Sequence, residues 1–551
     1  MPDAEKMMTM GLWVAVLGSV LAFWPWAAEP FMMPKLAAVL LGALLAHLGL
    51  AARGKTLGTR LAWPVLAWAL ALGAACYASA DPWVSVLGAR ASGSGSLISC
   101  AGLVLIITAA ARAGEAPEFL YQPVAIAGAL AGAYAVAQLY GCDPLWISSA
   151  AIFSGRSIGT MGGPIYLGPA LAVCLPAALD MAEKRPLWTI PAAAIFAGVL
   201  ASGTRAAVGA AVVGCLVMAV RRGALRARVA GWMAAGAVAL AVVSRAGALM
   251  SDVGRLEIWK IAARAAMDRP LTGWGPDTFG LVMRRYISPE FLATFKLDTI
   301  TQTHAHNLVM QTAYSSGLLG LAALGISAWC LWGAVRRAED VHAPALGTLA
   351  VVLLCASTNP MPLAAWVVAG VLVAPLFAIP VFSWAPIRSS LACASLAALL
   401  LWPAARMIKA EVVAYRGMVE WNNRRGLDAG YAFNRAAALA PWDMEHVGHQ
   451  LDAARSIAIW MPAAPARELA MDALKMAQEN ASRHPQDPKA YEALAAQESL
   501  LALLDARAGL SVEPRQTAAA RWLDVAHGMA PTYSPIAWRA RMVKLGMGRA
   551  G

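Results

Sequence analysis

The residues of this chain that are best placed to do chemistry are the histidines of the string Thr303-His304-Ala305-His306-Asn307. The string lies between a charged loop and a long apolar stretch, so its imidazoles should lie at a membrane surface. Histidine is the side chain whose proton exchange is most easily tuned near neutral pH. We therefore predict that His306 is catalytic, that Asn307 orients its ring or a substrate hydroxyl, and that His304 is an auxiliary group. The alternative is a histidine that only extends from the interface into water.

Three arginines lie next to apolar stretches, where a charged side chain is costly unless it has a partner. Arg205 ends the turn Ser202-Gly203-Thr204, Arg255 falls on the apolar side of a predicted helix, and Arg156 lies in the glycine-rich segment 155–164. The planar guanidinium matches phosphate oxygens with two parallel hydrogen bonds. We predict that Arg205 and Arg255 bind a pyrophosphate, with Arg156 as a further phosphate or sugar contact. The alternatives are helix-end arginines that extend to water and, around Arg156, an ordinary turn-rich connector.

The composition identifies a multi-pass membrane protein. Hydrophobic residues make up 59% of the 551 residues and charged residues only 14%, with a mean hydropathy of +0.58. A soluble domain of this size is far more polar. Apolar runs of roughly 16 to 25 residues, each long enough for one crossing, indicate about thirteen spans in an all-α bundle. These runs cover residues 10–28, 34–51, 61–79, 97–111, 122–141, 163–182, 187–203, 206–220, 229–246, 307–334, 343–357, 362–383 and 389–405.

Basic residues predict the orientation of these spans. The clusters in short loops fall on one side of the bundle: Arg53 to Arg60, Lys184–Arg185, Arg221 to Arg228 and Arg336–Arg337. By the positive-inside rule these loops are cytoplasmic. The N-terminus is then cytoplasmic, and the odd number of spans places the tail after Arg406, the loop 247–304 and His306 on the opposite, periplasm-like side of the membrane. The first apolar run lacks a cleavage pattern, so we predict a retained span.

Charge and cysteine content argue against two other classes of protein. The net charge of +12 comes largely from arginines that set the topology, so nucleic acid is not an expected partner. Seven of the eight cysteines fall in apolar runs, which argues against a disulfide framework or a CxxC metal site. The pair His304 and His306 has no third ligand nearby for zinc. We therefore predict no metal and no cofactor.

The membrane unit, residues 1–405, should be interrupted by one long external loop, 247–304. Ser251-Asp252 could cap a helix, the segment 255–267 has helical periodicity, and Pro270 should end it. The loop is therefore predicted to contain short helices.

On a helical wheel this segment has one polar and one apolar face. The polar face carries Glu257, Lys260, Arg264 and Asp268, and the apolar face carries Ile258, Ile261, Ala262 and Ala265. Arg255 falls on the apolar side near Trp259, which we include as an auxiliary residue of the predicted site. An arginine there is costly unless an anion meets it.

After about residue 406 the composition becomes polar and helical. Joints between predicted helices carry Pro441, Pro485 and Pro531, which are spaced by 44 and 46 residues. Near-periodic helical hairpins are typical of tetratricopeptide arrays, although the usual repeat is shorter. We predict a periplasmic, TPR-like helical domain over 406–551, with a plain helical bundle as the alternative. It has no evident catalytic residues, so we expect a scaffold or a docking surface for protein partners.

Four segments, separated by apolar stretches, form a specific combination. They are GRSIGTMGGP at 155–164, SGTR at 202–205, GRLEIWKIAARAAMDRPLTGWGPDTF at 254–279 and HAHNLVMQTAYSSGLLG at 304–320. Arg-x-x-x-Trp leads to Pro-Leu-x-Gly-x-Gly, and His-Asn is followed after nine residues by Gly-x-x-Gly. Over about residues 140–330 this order resembles the O-antigen ligase and polymerase superfamily.

The resemblance implies a glycosyltransferase of the GT-C-like membrane class with an undecaprenyl-pyrophosphate-linked glycan as donor. It implies that His306 is catalytic, that Arg205 and Arg255 engage the lipid pyrophosphate, and that the enzyme needs no metal. Two positions depart from the family pattern. Ser315-Ser316 precede the first glycine where a glutamate is common, and Gly162-Gly163-Pro164 stands where Asn-Pro is common.

The sequence leaves the identity of the acceptor open. A polymerase uses another lipid-linked repeat unit, a ligase uses lipid A-core, and a protein O-oligosaccharyltransferase uses a Ser, Thr or Tyr hydroxyl. The long tail favours a polymerase, since it could hold a growing chain or partner proteins. A lipid-glycan transporter is the alternative without chemistry, and it should carry polar groups along a path through the bilayer. A noncatalytic assembly scaffold is a second alternative without chemistry.

Overall fold

The computed structural model describes residues 2–54, 56–89, 94–113, 117–143, 145, 153, 155–222, 231, 236, 250–291, 302–383 and 386–531. Its regular structure is nearly all α-helical, as predicted. The helices are α1 (Pro2–Leu21), α2 (Met32–Arg53), α3 (Ala62–Tyr77), α4 (Pro82–Leu87), α5 (Leu97–Ala113), α6 (Pro117–Leu139), α7 (Pro164–Ala172), α8 (Leu175–Lys184), α9 (Thr189–Ala201), α10 (Arg205–Arg221), α11 (Met250–Asp268), α12 (Phe279–Val282), α13 (Leu308–Val335), α14 (Ala343–Ala356), α15 (Leu363–Val373), α16 (Pro386–Asn422), α17 (Gly426–Leu439), α18 (Met444–Ala458), α19 (Ala463–Arg483), α20 (Pro488–Arg507) and α21 (Glu513–Met529). Short 3-10 turns cover Gly159–Met161, Pro186–Trp188, Met283–Arg285, Asp340–His342 and Ala374–Phe377.

The chain is a multi-pass membrane protein. Within the described ranges, six helical segments are long and apolar enough to cross a bilayer: Asp3–Leu21, Met32–Arg53, Phe119–Leu139, Pro164–Lys184, Leu308–Val335 and Ile387–Asn422. Shorter apolar helices cover Ala62–Tyr77, Leu97–Ala113, Pro186–Ala201, Asp340–Ala356 and Leu363–Phe377. The total of about thirteen spans, based on the length needed for one crossing, stays a prediction. Apart from residues 231 and 236, the expected span 229–246 lies outside the described residues.

A small sheet departs from the all-helical prediction. Strand β1 (Thr56–Thr59) pairs antiparallel with β2 (Ala378–Ser383), with a register irregularity between Leu57 and Gly58. The apolar run at 362–383 was predicted to be one span, and this was wrong for its second half. α15 ends at Val373, and β1 supplies the backbone partners that an extended segment needs.

Small residues let the first two helices pack closely. A Cβ at Gly11 would lie 2.3 Å from the backbone nitrogen of Ala46, and one at Gly49 would lie 2.4 Å from that of Met8. There is no space for a side chain at either position, which is the usual way in which membrane helices approach each other. α2 also packs against α16, which leads into the tail.

The helix predicted in the long loop is α11. Its described part runs from Met250 to Asp268 and ends before Pro270, as expected. The expected caps Ser251-Asp252 lie within the helix and do not cap it, and the residues directly before Met250 lie outside the described ones. The predicted apolar face is buried at Ile258, Ile261, Ala262 and Ala265. Lys260 on the polar face is exposed and pairs with Glu257 at 2.7 Å.

The tail is a series of helices in which each packs against the next. α16 continues without interruption through residue 406, so one helix joins the membrane unit to the tail. Two joints between tail helices share one construction. The side chains of Asp443 and Asp487 each accept a hydrogen bond of 2.9 Å from the backbone N–H two residues later, which caps α18 and α20. The TPR-like repeat stays a prediction, and the joint at Pro531 lies at the end of the described residues.

The second of these joints lies against the membrane unit. Arg284 Nη1 donates to Asp487 Oδ1 at 3.2 Å, and both side chains are buried. Arg285 Nη2 donates to Gln486 Oε1 at 3.0 Å. His484 Nδ1 is hydrogen-bonded to the carboxylate of Asp81. The loop after α12 and the start of α4 therefore form one interface with the tail.

Candidate active site

The His-Asn motif lies at the start of α13 and is held by two glutamines. His306 has a φ of 54°, in the left-handed region that residues other than glycine rarely adopt. Its Nε2 lies 3.3 Å from Oε1 of Gln302, and Gln311 Oε1 accepts a 2.8 Å hydrogen bond from the Ala305 N–H. Unusual backbone conformations persist only where the surroundings hold them, and they are frequent at functional sites.

Asn307 is the cap of α13. Its Oδ1 accepts hydrogen bonds from the N–H groups of Val309 and Met310 at 3.0 and 3.1 Å, while its Nδ2 donates to the Ser357 carbonyl at 2.9 Å. Both ends of the amide are therefore used by backbone groups. Asn307 fixes the start of the helix, and the group that contacts the His306 ring is Gln302 instead.

His304 is a buried neutral imidazole beside the catalytic candidate. Only 7% of it is exposed, and its Nε2 has no hydrogen-bond partner among the described residues. Burial and, to a smaller extent, the neighbouring His306 lower the pKa of His304 to about 3. Its ring is thus uncharged at neutral pH. Its predicted auxiliary role stays a prediction.

Arg255 brings positive charge to His306. The guanidinium of this half-buried residue of α11 donates from Nη2 to Asn359 Oδ1 at 3.4 Å. Burial lowers the pKa of the His306 ring to about 4, and the charge of Arg255 lowers it in the same direction. The structure thus brings together two predicted site residues that are far apart in sequence. Asn359, which the sequence did not indicate, completes this group.

Arg156 holds the turn that precedes Arg205. Its Nε donates to the Ser202 carbonyl at 2.9 Å and its Nη2 to Thr204 Oγ1 at 3.1 Å. Gly203 has a φ of 60°, and a Cβ there would lie only 3.0 Å from Arg156 Nε. The structure therefore places Arg156 against the turn of Arg205. Because two of its donors bind the protein, fewer remain for a ligand.

The structure places Arg205 on α10, which packs against α14, and Trp259 on α11, which carries Arg255. Arg205 is the half-buried first residue of α10, where the positive end of the helix dipole favours an anion. Trp259 lies one turn after Arg255 on α11, and its Nε1 has no hydrogen-bond partner within the described ranges. Their roles in binding stay predictions.

A break in α13 connects the His-Asn motif to the Pro-Leu-x-Gly-x-Gly segment. Gly317 has φ 59° and ψ −150°, which no helix contains. The carbonyls of Pro270 and Leu271 accept the N–H groups of Leu318 and Leu319 at 2.8 and 3.2 Å. The glycines in both motifs therefore serve one purpose, which is the insertion of the loop after α11 into the kinked helix.

Trp274 and Gly275 continue this insertion. Their N–H groups donate to the carbonyls of Tyr314 and Ser315 at 2.9 and 3.0 Å. The insertion connects α11, which carries Arg255, to α13, which follows His306. It thereby helps to set the distance between these two candidate site residues.

The metal-binding capacity of the described chain lies elsewhere. Glu411, Asp443 and His446 offer ligand atoms close enough to share an ion. His446 Nε2 lies 3.3 Å from Glu411 Oε1 and 3.8 Å from Asp443 Oδ2. This group lies at the base of the tail and includes neither histidine of the His-Asn motif.

Fold and site together define a multi-pass helical membrane protein whose helix ends and loops carry a neutral histidine and several arginines. Residues 190–325 match a family model described as O-antigen ligase. The resemblance to the O-antigen ligase and polymerase superfamily is thereby confirmed, and this family points to a membrane glycosyltransferase of ligase or polymerase type. The matched segment contains Arg205, Arg255, His306 and Gly317. No curated protein and no solved structure matches the chain.

Proposed function

We propose that this protein transfers a glycan from an undecaprenyl pyrophosphate donor to an acceptor hydroxyl. The observation that carries the proposal is the neutral ring of His306 beside Arg255 within the matched segment. Glycan transfer of this kind needs a proton acceptor and a cation close together, because a hydroxyl loses its proton while a pyrophosphate leaves.

In the proposed mechanism, His306 accepts the proton of the acceptor hydroxyl. The hydroxyl oxygen attacks the anomeric carbon, and the bond between that carbon and the pyrophosphate oxygen breaks with its electrons going to the pyrophosphate. Arg255 and Arg205 stabilise the negative charge on the leaving group. A single displacement of this kind inverts the configuration at the anomeric carbon.

Donor binding should itself prepare His306 for this step. A ring with a pKa of about 4 is neutral at pH 7 but is a weak base. A pyrophosphate bound by Arg255 offsets the charge of the guanidinium, which raises the pKa of His306 toward its ordinary value. The base therefore becomes effective when the donor is present.

Arg156 has an indirect part in this proposal. It holds the Ser202-Gly203-Thr204 turn, which fixes the start of α10 and thereby the position of Arg205. Its remaining donors would contact the outer phosphate or the first sugar. Trp259 and His304 are proposed to pack around the donor and the histidine.

The same proposal covers location and acceptor. The positive-inside pattern supports placing this site and the tail on the periplasmic side of a bacterial inner membrane. The long helical tail supports a polymerase that joins repeat units of a surface polysaccharide, with TPR-like repeats that bind the growing chain or partner proteins. Transfer to lipid A-core or to a protein hydroxyl remains the alternative use of the same chemistry.

Reconstituted protein can test this directly. The full-length chain in nanodiscs is incubated with the native lipid-linked glycan extracted from the producing cells, with and without added lipid A-core or acceptor protein. We expect a ladder of products from the lipid-linked glycan alone. A single transfer to an added acceptor would replace polymerase by ligase or protein transferase. A wild-type protein that consumes no donor under any condition would refute the proposed function.

A further inference from the structure

A cavity of about 550 Å³ lies between the membrane unit and the tail. Its size is within the range of small-molecule sites. Its wall includes Tyr166 of α7, Asp277 before α12, Thr303 before the His-Asn motif, and Trp442 and Glu445 of the tail. It thus collects elements that are distant in sequence, and much of its wall lies outside the segment that matches O-antigen ligase.

The cavity is acidic, in contrast to the arginine site. Carboxyl groups in its wall come from Glu29, Asp81, Asp277, Asp443, Glu445 and Asp487, against the basic groups of Lys35, Arg284 and Lys489. Arg284 is already paired with Asp487. Such a wall suits a neutral ligand better than a pyrophosphate. Neutral hydroxyls, in contrast, are good donors to carboxylate oxygens.

Asp277 has an unused acceptor in this wall. It is only 4% exposed and has a φ of 57°. Its Oδ1 accepts a 3.2 Å hydrogen bond from the Gly95 N–H, and the backbone of Ser96 and Ala89 also bonds to the carboxyl group, while its buried Oδ2 has no hydrogen-bond partner among the residues described. Burial also raises the pKa of this carboxyl to about 7. A buried polar atom without a partner is rare and calls for a ligand that satisfies it.

Two features suit a sugar in particular. Trp83 and Trp442 stack with their ring centroids 6.0 Å apart, and both line the cavity. Indole surfaces of this kind pack against the C–H faces of pyranose rings. Thr303 is three residues before His306, a separation of at most about 11 Å along an extended chain. A glycan in the cavity can therefore extend one hydroxyl to the histidine.

We propose that this cavity binds the sugars of the acceptor glycan and that Asp277 Oδ2 accepts a hydrogen bond from one of its hydroxyls. The inference rests on the proposed function, because it assigns the second substrate of the same site. Donor and acceptor are then separated by charge, with pyrophosphate at the arginines and neutral sugar at the carboxyls. The tail contributes directly to the acceptor site through Trp442.

The test uses the full-length protein in nanodiscs with the native lipid-linked glycan as donor. The acceptor probe is the soluble oligosaccharide that mild acid releases from the same lipid, carrying a fluorescent label. Asp277→Asn keeps the shape, and asparagine tolerates the left-handed backbone well. We expect the KM for the labelled acceptor to rise about tenfold, which corresponds to the loss of one hydrogen bond to the carboxyl group, while the KM for the donor, measured from labelled product at saturating oligosaccharide, stays unchanged. The matched control is Asp472→Asn, an exposed carboxyl on α19.

Four outcomes would count against these proposals. An equal acceptor KM in Asp277→Asn and wild type, or donor turnover without any use of the oligosaccharide, would overturn the assignment of the cavity. A rise in donor KM of the same size would show that Asp277 acts on the site as a whole, which also overturns it. A wild type without donor turnover removes the proposed function itself, so the two failures are distinguishable. Trp83→Ala provides a second variant if Asp277→Asn does not fold, with the same expected rise in acceptor KM.

Discussion

At the scale of single residues, the site combines a base with a cation that opposes its protonation. The charge of Arg255 and burial both favour the neutral form of His306. In the proposed reaction the ring must nevertheless become protonated. The donor anion is the partner that resolves this conflict, because it neutralises the guanidinium before the proton moves.

This electrostatic coupling predicts a pH effect. The acid limb of kcat/KM reports the free enzyme, so activity should fall only as the pH approaches the His306 pKa of about 4. Arg255→Gln removes the cation and raises the His306 pKa. Protonation of the base then occurs at higher pH, and the acid limb should move up by about one pH unit. Arg264→Gln, on the exposed face of the same helix, should leave the limb in place. If the acid limb of Arg255→Gln stays in place, the charge of Arg255 does not influence the protonation of His306.

Removal of the ring itself predicts a selective kinetic loss. His306→Ala should lower kcat by about 10² to 10⁴, the usual contribution of a general base. The KM for the donor should change little, because the arginines bind the pyrophosphate. Initial rates with the lipid-linked glycan measure both constants. His527→Ala, a half-buried tail histidine, is the control, and a His306 variant with near wild-type turnover would exclude the base mechanism.

The sequence could locate the catalytic candidate but not its contacts. His306 and Arg255 are recognisable from motif spacing and from their position beside apolar segments. Gln302, Asn359 and Asp277 are not, because their relevance depends on backbone turns and on contacts between distant segments. Asn307 caps its own helix because a short amide at a helix start is well satisfied by the backbone of that helix, and its predicted contact with the ring or with a substrate hydroxyl stays a prediction.

At the scale of elements, the insertion of the loop after α11 into α13 is the feature that positions the site. It exchanges intrahelical hydrogen bonds of α13 for bonds to the carbonyls of Pro270 and Leu271. Because this insertion depends on one backbone conformation, Gly317 holds Arg255 and His306 in their relative positions.

This dependence predicts a large effect from one methyl group. In Gly317→Ala the Cβ would lie 2.5 Å from the carbonyl oxygen of Pro270, and its φ and ψ suit only glycine. We expect a destabilisation of about 1 to 3 kcal/mol, seen as a lower Tm in detergent, together with reduced transfer. Gly325→Ala in the same helix meets nothing within 4 Å and should be neutral or slightly stabilising. Equal melting of the two variants would contradict the structural role of the break.

Helices were easier to predict than their interruptions. Hydropathy indicates where apolar segments lie, and most of these segments are helical. It does not show that the run 163–182 is divided at Val173–Cys174, or that the run 362–383 ends as a strand. Such breaks depend on local proline positions and on a distant strand partner. Hydropathy averaged over a window of residues carries neither kind of information.

At the scale of the whole molecule, the tail is bound to the membrane unit by buried charge. Arg284 and Asp487 are each 8% exposed and pair at 3.2 Å. Removing one partner from a buried ion pair leaves the other insufficiently compensated, and this costs far more than the loss of a surface pair. The packing of the tail against the membrane unit, beside the cavity, should therefore depend strongly on this one contact.

Asp487→Asn tests this interface while keeping a good helix cap. We expect a loss of about 3 kcal/mol, with faster hydrogen exchange in α20 and in the loop after α12. Asp452→Asn, whose carboxylate is 66% exposed in its pair with Arg455, should change stability by less than about 1 kcal/mol. Unchanged exchange in Asp487→Asn would mean that the tail is held by other contacts.

The long helix α16 links the site to the bilayer. Its 37 residues span about 55 Å, whereas the apolar part of a membrane is only about 30 Å thick. Roughly 25 Å of the same rod therefore extends past the lipid and carries the tail with Trp442. A thinner bilayer makes such a rod tilt, and the tilt changes the gap between Trp442 and Trp83. We therefore expect the width of the proposed acceptor cavity to depend on lipid chain length. The thickness of the surrounding membrane would then influence how well the acceptor binds.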